Sequence, residues 1–220
     1  MTKHQLKTEH EWLALRKTII TATESSAILG LNKYLSASQM SKNKVENSFT
    51  GNAYTQIGSI LEPAVVNAVN LILGTQFYLL ENEYGKIMYL RDDVPIGATP
   101  DATNGLQFLE CKTTNPTTYL RYRFSPPEYY VFQLMVQLYC AGLTEGYLAI
   151  MSTNLTQTKA ELNIPISIFR VLLCPELCAI LKSEVERYFE LKAENKMFRV
   201  NSKIKQLSRL LVKFSYIQVY

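Results

Sequence analysis

The chain has 220 residues, of which 47% are hydrophobic and 19% charged, with a formal net charge of +4. This balance excludes an intrinsically disordered chain, and the length suits one domain with a substantial core. The polar N-terminus does not resemble a signal peptide, and no apolar run approaches the roughly 20 residues that cross a bilayer. We therefore expect a single domain over residues 1–220, located in the cytoplasm and without a membrane contact.

Basic residues are concentrated in the C-terminal segment, at about 198–220. From Arg199 onward this segment carries five basic residues and no acidic one. Such a segment suits a polyanionic partner, and a solvated helix face is the alternative interpretation. Apolar residues recur in it at helical spacing and predict a helix that packs against a neighbour. These residues are Ile204, Leu207, Leu210, Leu211 and Phe214.

Cysteine spacing indicates no disulfide framework. Cys111, Cys140, Cys174 and Cys178 are scattered along the chain, so we expect reduced thiols that act as small buried hydrophobic groups. A soft-metal site at Cys174 and Cys178, one helical turn apart, is the less favoured alternative.

Helical and strand patterns alternate along the chain and predict a mixed α/β domain whose central sheet is flanked by helices. Pro63 is tolerated only in the first turn of a helix, which places Glu62 at a helix entrance near Ile60. The Asn104-Gly105 pair is a two-residue hairpin signal. Residues 31–55 are expected to form a loop or short helices. Helices are predicted over 9–17, 23–30, 60–73, 128–143 and 175–196, and strands over 75–84, 86–92, 95–104, 105–114, 145–152 and 161–171.

Catalysis by histidine is excluded by position. His4 and His10, the two histidines, lie in the first ten residues, outside any plausible core. Ser-His or Cys-His hydrolases and His-rich zinc sites are therefore improbable. The chain also lacks the glycine-rich signatures of nucleotide-binding loops. Any chemistry must rest on carboxylates and lysine.

One carboxylate–lysine group has the spacing of an active site. Glu110 and Lys112 are two residues apart in a predicted strand and therefore point to one face, and the hairpin returns Asp101 beside Glu110. Paired carboxylates are ligands that Mg²⁺ prefers, and the main-chain carbonyl of Cys111 is a further candidate ligand. Lys112 can orient or help deprotonate an attacking water. The alternative is a turn aspartate and an exposed strand pair, but the apolar FLECK context disfavours it.

The order of these motifs resembles the PD-(D/E)XK nucleases. More narrowly, it resembles the phage lambda-type, YqaJ-like alkaline exonucleases, from about Trp12 to Ser152. A D-x₈-E-x-K pattern is weak alone, whereas all the blocks in order make a strong signal. The matching blocks are LRKTIITATES, Glu62 in GSILEP, Asp101 in TPDA, Glu110-Cys111-Lys112, and Gln133 with Gln137.

The resemblance implies a restriction-endonuclease-like core with a magnesium site. Glu62, Asp101 and Glu110 would coordinate one or two Mg²⁺ ions, for which Mn²⁺ can substitute, and Lys112 would position the nucleophilic water. Gln133 would support the site from the long helix, with Gln137 second. Without the family, the two glutamines would be interpreted as a polar stripe on a buried helix face.

The resemblance also implies a pocket for the 5′-phosphate of a DNA end. Arg16 matches the family's arginine, and Thr23 and Thr99 stand where the family has serines, so a hydroxyl is kept. A surface ion pair is the alternative role for Arg16. Further DNA contacts are expected from Gln137, and from Arg121 and Arg123, which are interleaved with aromatic residues. Core aromatic residues with solvated arginines are the alternative for that last segment.

The expected function is a 5′→3′ exonuclease on double-stranded DNA ends that leaves 3′ single-stranded overhangs for recombination. The resemblance implies a homotrimeric ring, a single-strand annealing protein as partner, and a phage, prophage or virus gene whose product acts in the host cell. Two alternatives remain open. One is a structure- or sequence-selective endonuclease of the same fold, and the other is a DNA-binding module without catalysis.

Overall fold

A computed structural model describes residues 2–46, 53–80, 86–153 and 165–220. Within these ranges the helices are α1 (Glu9–Thr18), α2 (Ala22–Ile28), α3 (Ala37–Glu46), α4 (Ala53–Leu73), α5 (Pro116–Tyr122), α6 (Glu128–Ala141), α7 (Pro175–Ala193) and α8 (Ser202–Lys213). The strands are β1 (Thr2–Leu6), β2 (Ile20–Thr21), β3 (Tyr78–Leu79), β4 (Lys86–Leu90), β5 (Ile96–Ala98), β6 (Ala102–Thr103), β7 (Phe108–Thr114), β8 (Glu145–Ser152), β9 (Ile166–Leu172) and β10 (Tyr216–Gln218).

Among the described residues the strands form two sheets, which confirms the predicted α/β class. The larger sheet is mixed and has the order β10-β9-β8-β7-β6-β3, with β7 and β8 parallel. The smaller sheet, β1-β4-β5-β2, was not expected as a separate unit. It arises because β1, for which no strand was predicted, pairs along its whole length with β4.

Strand β7 is covered on both faces by helices. Leu109 and Cys111 point to α4, where they share a core with Val65 and Val69. Phe108 points to the opposite face and packs in the core that contains much of α6. The strict alternation of a β-strand therefore sends the even-numbered residues 110 and 112 toward α6.

Local signals in the sequence fix several helix ends. Thr21 caps α2, and the Glu24 side chain returns to the Thr21 backbone, forming the reciprocal pair of a capping box. Gly142 ends α6 with φ 68, a left-handed conformation that glycine adopts without steric cost. The predicted positions of α1, α2, α6 and α7 are confirmed to within a few residues.

Helix α4 begins earlier than predicted. It starts at Ala53, so Pro63 lies inside it and Glu62 near its middle, not at its entrance. A proline in a helix interior removes one backbone hydrogen bond, and here the residue that would have supplied the acceptor, Ser59, is exposed to water. The prediction failed because it treated this local cost as decisive over a helix of 21 residues.

The hairpin between β6 and β7 is confirmed, with its turn displaced by one residue. Thr103 pairs with Phe108, and the Asn104 amide donates to the Gln107 carbonyl at 3.3 Å. The two connecting residues are therefore 105 and 106, not 104 and 105. Gly105 has φ +90, which a side chain would strain at this position.

Several predicted boundaries shift or lie outside the described residues. The strand predicted over 75–84 is reduced to β3, and its end falls in 81–85, which are not described. The start of the strand predicted over 161–171 falls in 161–164, also not described. Residues 47–52 of the predicted loop are likewise outside, while α3 occupies residues 37–46 of that segment.

Helix α4 also qualifies, by length and composition alone, as a membrane-crossing helix. Its segment Gln56–Leu73 has a mean hydropathy of 1.4. The expectation that no apolar run approaches this length does not hold for α4. One face of the helix, with Val65 and Val69 fully buried, packs against the larger sheet in the manner of a core helix.

The C-terminal basic segment forms α8, as predicted, and continues into β10, which was not predicted. Val212 and Ser208 are buried under the helix. Of its apolar positions, Ile204 and Leu211 pack against the core, as expected. Leu207 is 46% exposed, Leu210 52% and Phe214 80%, and their packing against another subunit stays a prediction. The strand β10 then pairs with β9 and closes one edge of the larger sheet.

The cysteines are free, as expected. Cys111, Cys140 and Cys178 are buried and Cys174 is partly buried. Burial raises the pKa of the Cys178 thiol to about 12, so this group is a neutral thiol at physiological pH.

Close packing of β7 against β8 makes Gly146 intolerant of a side chain. A Cβ there would lie 2.7 Å from the Phe108 carbonyl oxygen, which is backbone and cannot rotate away. We expect Gly146→Ala to lower the free energy of unfolding by about 1–3 kcal/mol in urea titrations. Gly58→Ala is the matched control: its Cβ meets no atom closer than 3.9 Å, and alanine in a helix should add about 1 kcal/mol. Equal effects of the two variants would contradict this packing.

Candidate active site

Glu110 is the most deeply buried acidic group of the site, at 1% exposure. Its Oε1 accepts hydrogen bonds from Lys112 Nζ at 2.5 Å and from Gln133 Nε2 at 2.5 Å. Its Oε2 accepts one from Gln137 Nε2 at 2.5 Å. Donors on both oxygens compensate the loss of water around the charge. The predicted shared face of Glu110 and Lys112 is present as a direct ion pair.

The two glutamines reach Glu110 because they are one helical turn apart on the face of α6 that packs on β7. Gln133 is partly exposed to the cleft, whereas Gln137 is fully buried. Gln137 donates to Glu110 and also lines the cleft, which agrees with its predicted supporting position. Its predicted contact with DNA stays a prediction.

Asp101 is returned to Glu110 by the hairpin. Its Oδ2 accepts a hydrogen bond from the Cys111 amide at 2.7 Å. Burial and the negative charge of Glu110 raise the pKa of Asp101 well above its usual value, with a smaller contribution from Glu62. Lys112 opposes this rise but does not cancel it. The ionised form of Asp101 is therefore disfavoured in this site.

The Lys112 ammonium is stabilised by these carboxylates. Burial by itself lowers the pKa of Lys112, but Glu110 and Asp101 outweigh burial and hold that pKa above its usual value. The two predicted roles of Lys112, orienting a water molecule and helping to deprotonate it, both stay predictions.

Glu62 reaches the site from α4, on the opposite side of β7. It is partly buried and lines the same cleft as Asp101 and Glu110. Its charge also acts on Cys111, whose thiol pKa is raised by burial and then by the nearby carboxylates. Cys111 points its side chain into the α4 core, and its main-chain carbonyl as a ligand remains a prediction.

The cleft is also lined by the residues predicted to bind a 5′-phosphate, Arg16, Thr23 and Thr99. The cleft has a volume of about 190 Å³. Burial lowers the pKa of Arg16 and the Glu24 carboxylate partly opposes this shift, so the guanidinium is a cation held in a partly desolvated pocket.

Trp12 organises this part of the cleft and was not predicted to belong to the site. Its indole Nε1 donates to Thr99 Oγ1 at 3.3 Å, and the Arg16 guanidinium lies 4.4 Å from its ring centroid. A tryptophan four residues before the arginine on one helix gives this stacking at the i, i+4 spacing. That spacing was the signal in the sequence that could have identified Trp12.

Arg121 and Arg123 lie outside this group. Both are exposed, and neither lines the cleft. The Arg123 guanidinium lies 4.5 Å from the Phe124 ring, and its carbonyl accepts a hydrogen bond from Gln218. Their role as DNA contacts remains a prediction for a surface away from the catalytic residues.

A buried lysine, Lys44, supports the predicted phosphate pocket. Its Nζ donates to the carbonyls of Arg16 and Ile19, each at 2.7 Å, and forms an ion pair with Glu24 at 2.9 Å. Only 5% of its side chain is exposed. Lys44 thus joins the C-terminal end of α1 to the N-terminal turn of α2 and holds the backbone that carries Arg16.

The donor chemistry of the cleft fits a hard divalent cation. Asp101, Glu110 and Glu62 line one cleft, and the pKa of Asp101 is raised first by burial and then by repulsion from Glu110 and Glu62. Within the described ranges no group of three or more His, Cys, Asp or Glu side chains is already closed around a single metal position. A cation bound between the carboxylates would reduce that repulsion.

The sequence model of the YqaJ-like viral recombinase domain matches residues 11–144, which is more than half of the chain. The chain belongs to this family. The matched range contains every predicted residue of the metal site and of the phosphate pocket, and the resemblance noted from the sequence is confirmed. No curated protein matches the chain.

Three solved structures of family-like nucleases resemble the fold. The alkaline exonuclease LHK-Exo from Laribacter hongkongensis is 21% identical, with 94% of this chain and 100% of that chain covered and a TM-score of 0.66. Its complex with dAMP is 22% identical, with 94% of this chain and 100% of that chain covered and a TM-score of 0.64. A phage-related exonuclease from Haemophilus somnus 129PT is 14% identical, with 93% of this chain and 100% of that chain covered and a TM-score of 0.55. At these identities the likeness concerns the fold alone, and it agrees with the predicted mixed α/β class.

The Lys44 bridge gives a stability prediction for this YqaJ-like domain. Lys44→Met removes the cation paired with Glu24 and the donor of two carbonyls, so we expect the free energy of unfolding to fall by about 3 kcal/mol. Lys42→Met, on an exposed position of the same helix, should change it by no more than about 0.5 kcal/mol. Urea unfolding of both variants measures this difference, and equal values would show that the bridge is not stabilising.

Proposed function

We propose that the chain is a single nuclease domain that degrades double-stranded DNA from its ends in the 5′→3′ direction, using Mg²⁺ and leaving 3′ single-stranded overhangs. One observation carries the proposal. The Glu110 carboxylate is buried among Lys112, Gln133 and Gln137, and Arg16 lines the same cleft. A purely structural ion pair would not need a second cationic side chain in that cleft.

The catalytic side of the cleft can activate water without a histidine. Asp101, Glu110 and Glu62 would hold Mg²⁺, which when bound polarises the phosphate and lowers the pKa of a bound water. Lys112, which is ion-paired with Glu110, would orient the attacking oxygen and stabilise negative charge that develops on the phosphate oxygens. Gln133 and Gln137 keep the Glu110 carboxylate in one orientation.

The predicted phosphate pocket of the cleft selects a DNA end. The Arg16 guanidinium, held against Trp12, offers parallel donors that match a terminal phosphate. Thr23 and Thr99 add hydroxyl groups to the same cleft. An internal phosphodiester carries one charge less than a 5′-terminal phosphate, which favours an exonuclease over an endonuclease that cuts within duplexes.

The proposal extends to assembly and setting. We propose a homo-oligomer, in the form of the trimeric ring that the resemblance implies, and cooperation with a single-strand annealing protein in recombination within the cytoplasm of the host cell. The exposed apolar residues of α8, Leu207, Leu210 and Phe214, provide area for such a contact. Light scattering after size exclusion measures the oligomeric state directly.

The catalytic prediction concerns Lys112. With Mg²⁺ and end-labelled linear duplex, we expect stepwise release of nucleotides from 5′-phosphorylated ends, and closed circles should remain intact. Lys112→Ala should lower the rate by about 100-fold or more, because the developing charge and the water lose their cationic partner. Cutting of closed circles would favour an endonuclease, and no cleavage with Mg²⁺ or Mn²⁺ would leave a DNA-binding module.

The end-recognition prediction concerns Arg16. Arg16→Met keeps much of the side-chain volume but removes the donors, so the preference for 5′-phosphate over 5′-hydroxyl ends should fall by roughly 10- to 100-fold. The ratio of kcat/KM for the two substrates measures this preference. Arg121→Met, an exposed arginine outside the cleft, is the control and should leave the ratio unchanged. An unchanged ratio in Arg16→Met would assign that arginine to structure.

A further inference from the structure

Four tyrosines form a connected group that runs from the active site to the surface. Tyr130 lies 5.1 Å, ring centroid to Nζ, from the catalytic Lys112. The Tyr129 and Tyr130 centroids are 4.6 Å apart, and Tyr34 contacts Tyr129 edge-on at 6.0 Å. Tyr122 contacts Tyr130 in the same manner at 6.3 Å. We call this group the tyrosine row.

The outer end of the tyrosine row carries a cation. Lys33 is exposed, and its Nζ lies 4.9 Å from the Tyr34 centroid and donates to the Tyr122 hydroxyl at 3.4 Å. Tyr34 is 72% exposed, whereas Tyr122 and Tyr130 pack against the core and anchor the row. The inner rings are held by the core, whereas the Tyr34 ring and Lys33 contact the row itself and remain accessible to a ligand.

The chemistry of the row differs from that of the cleft beside it. The cleft is about 190 Å³ and is lined mainly by polar and charged residues, which suits a phosphate and its sugar better than stacked bases. Exposed aromatic rings next to lysines are the surface on which unpaired bases stack, without regard to sequence. Such bases arise wherever one strand of a duplex is drawn into a catalytic cleft.

We propose that Tyr34 and Tyr129, with Lys33, bind unpaired DNA bases at the opened end beside the active site. This inference rests on the proposed function for the origin of the unpaired bases. The cation of Lys33 would contact the backbone phosphate next to a base stacked on Tyr34. Continuity with Lys112 through Tyr130 places this surface next to the strand that is cut.

The test measures binding without cleavage. A duplex with a short single-stranded tail, carrying 2-aminopurine in the 3′-ended or in the 5′-ended strand, is titrated with the full chain in EDTA. Stacking quenches the fluorescence of whichever strand lies on the row. We expect Tyr34→Ala to weaken binding of the tailed duplex by roughly 5- to 100-fold and to abolish the quenching. Tyr34→Phe should retain both.

Two controls separate stacking from general damage. Tyr78→Ala removes a tyrosine of similar exposure, 56%, outside the row and should bind like the wild type. A hairpin-capped duplex, which has no unpaired end, should bind Tyr34→Ala and wild type equally. Equal binding of the tailed duplex by Tyr34→Ala and wild type would overturn the inference, and so would an equal loss for tailed and capped duplexes.

The same samples distinguish failure of the inference from failure of the proposed function. Addition of Mg²⁺ after the titration reports cleavage by the wild-type chain. If the wild type cleaves DNA but Tyr34→Ala binds and quenches the tailed duplex like the wild type, base binding by the tyrosine row is wrong and the nuclease proposal stands. Quenching that depends on Tyr34 without any cleavage would support base binding and reject the nuclease.

Discussion

A carboxylate buried in a protein core must be surrounded by donors, and this requirement at Glu110 determines much of the architecture. Its side chain is 1% exposed and lies between β7 and α6. Three donors reach it: Lys112 from the same strand face, and Gln133 and Gln137 from successive turns of the helix. Both amides reach Glu110 only when α6 turns one particular face toward β7. The packing of α6 on the sheet therefore also sets the geometry of the site.

The ionised form of Asp101 is nevertheless disfavoured, and this has a functional meaning. Asp101 accepts a hydrogen bond from the Cys111 amide, yet burial and the Glu110 charge still raise its pKa well above the usual value. Groups whose ionised form is destabilised in this way concentrate at functional sites. In a YqaJ-like viral recombinase domain, a divalent cation would supply the missing positive charge. The lysine that remains, Lys112, is then free to act on water and phosphate.

Short-range rules predicted the parts of the site that lie on one element or one hairpin. The spacing of Glu110 and Lys112 in an apolar strand was sufficient to place them together. Rules based on one residue failed where long-range packing determines the secondary structure. Pro63 lies inside α4, although proline alone predicts a helix start. Strands β1 and β10 were missed because their pairing partners are distant in sequence. The hydrogen bond from Trp12 to Thr99 and the bridge made by Lys44 could not be predicted, because each depends on how α1 meets another element. The stacking of Arg16 on Trp12 was open to prediction from their i, i+4 spacing.

The central claim is that the carboxylates of the cleft exist to bind a cation and are kept at a cost in stability. Melting of the wild type and of Asp101→Asn, each with and without Mg²⁺, tests it directly, because asparagine keeps the acceptor for the Cys111 amide and removes the charge. Without metal the variant should melt at least about 2 °C higher, and Mg²⁺ should raise the melting temperature of the wild type alone. A variant that is less stable without metal, combined with an equal response of both proteins to Mg²⁺, would contradict the account.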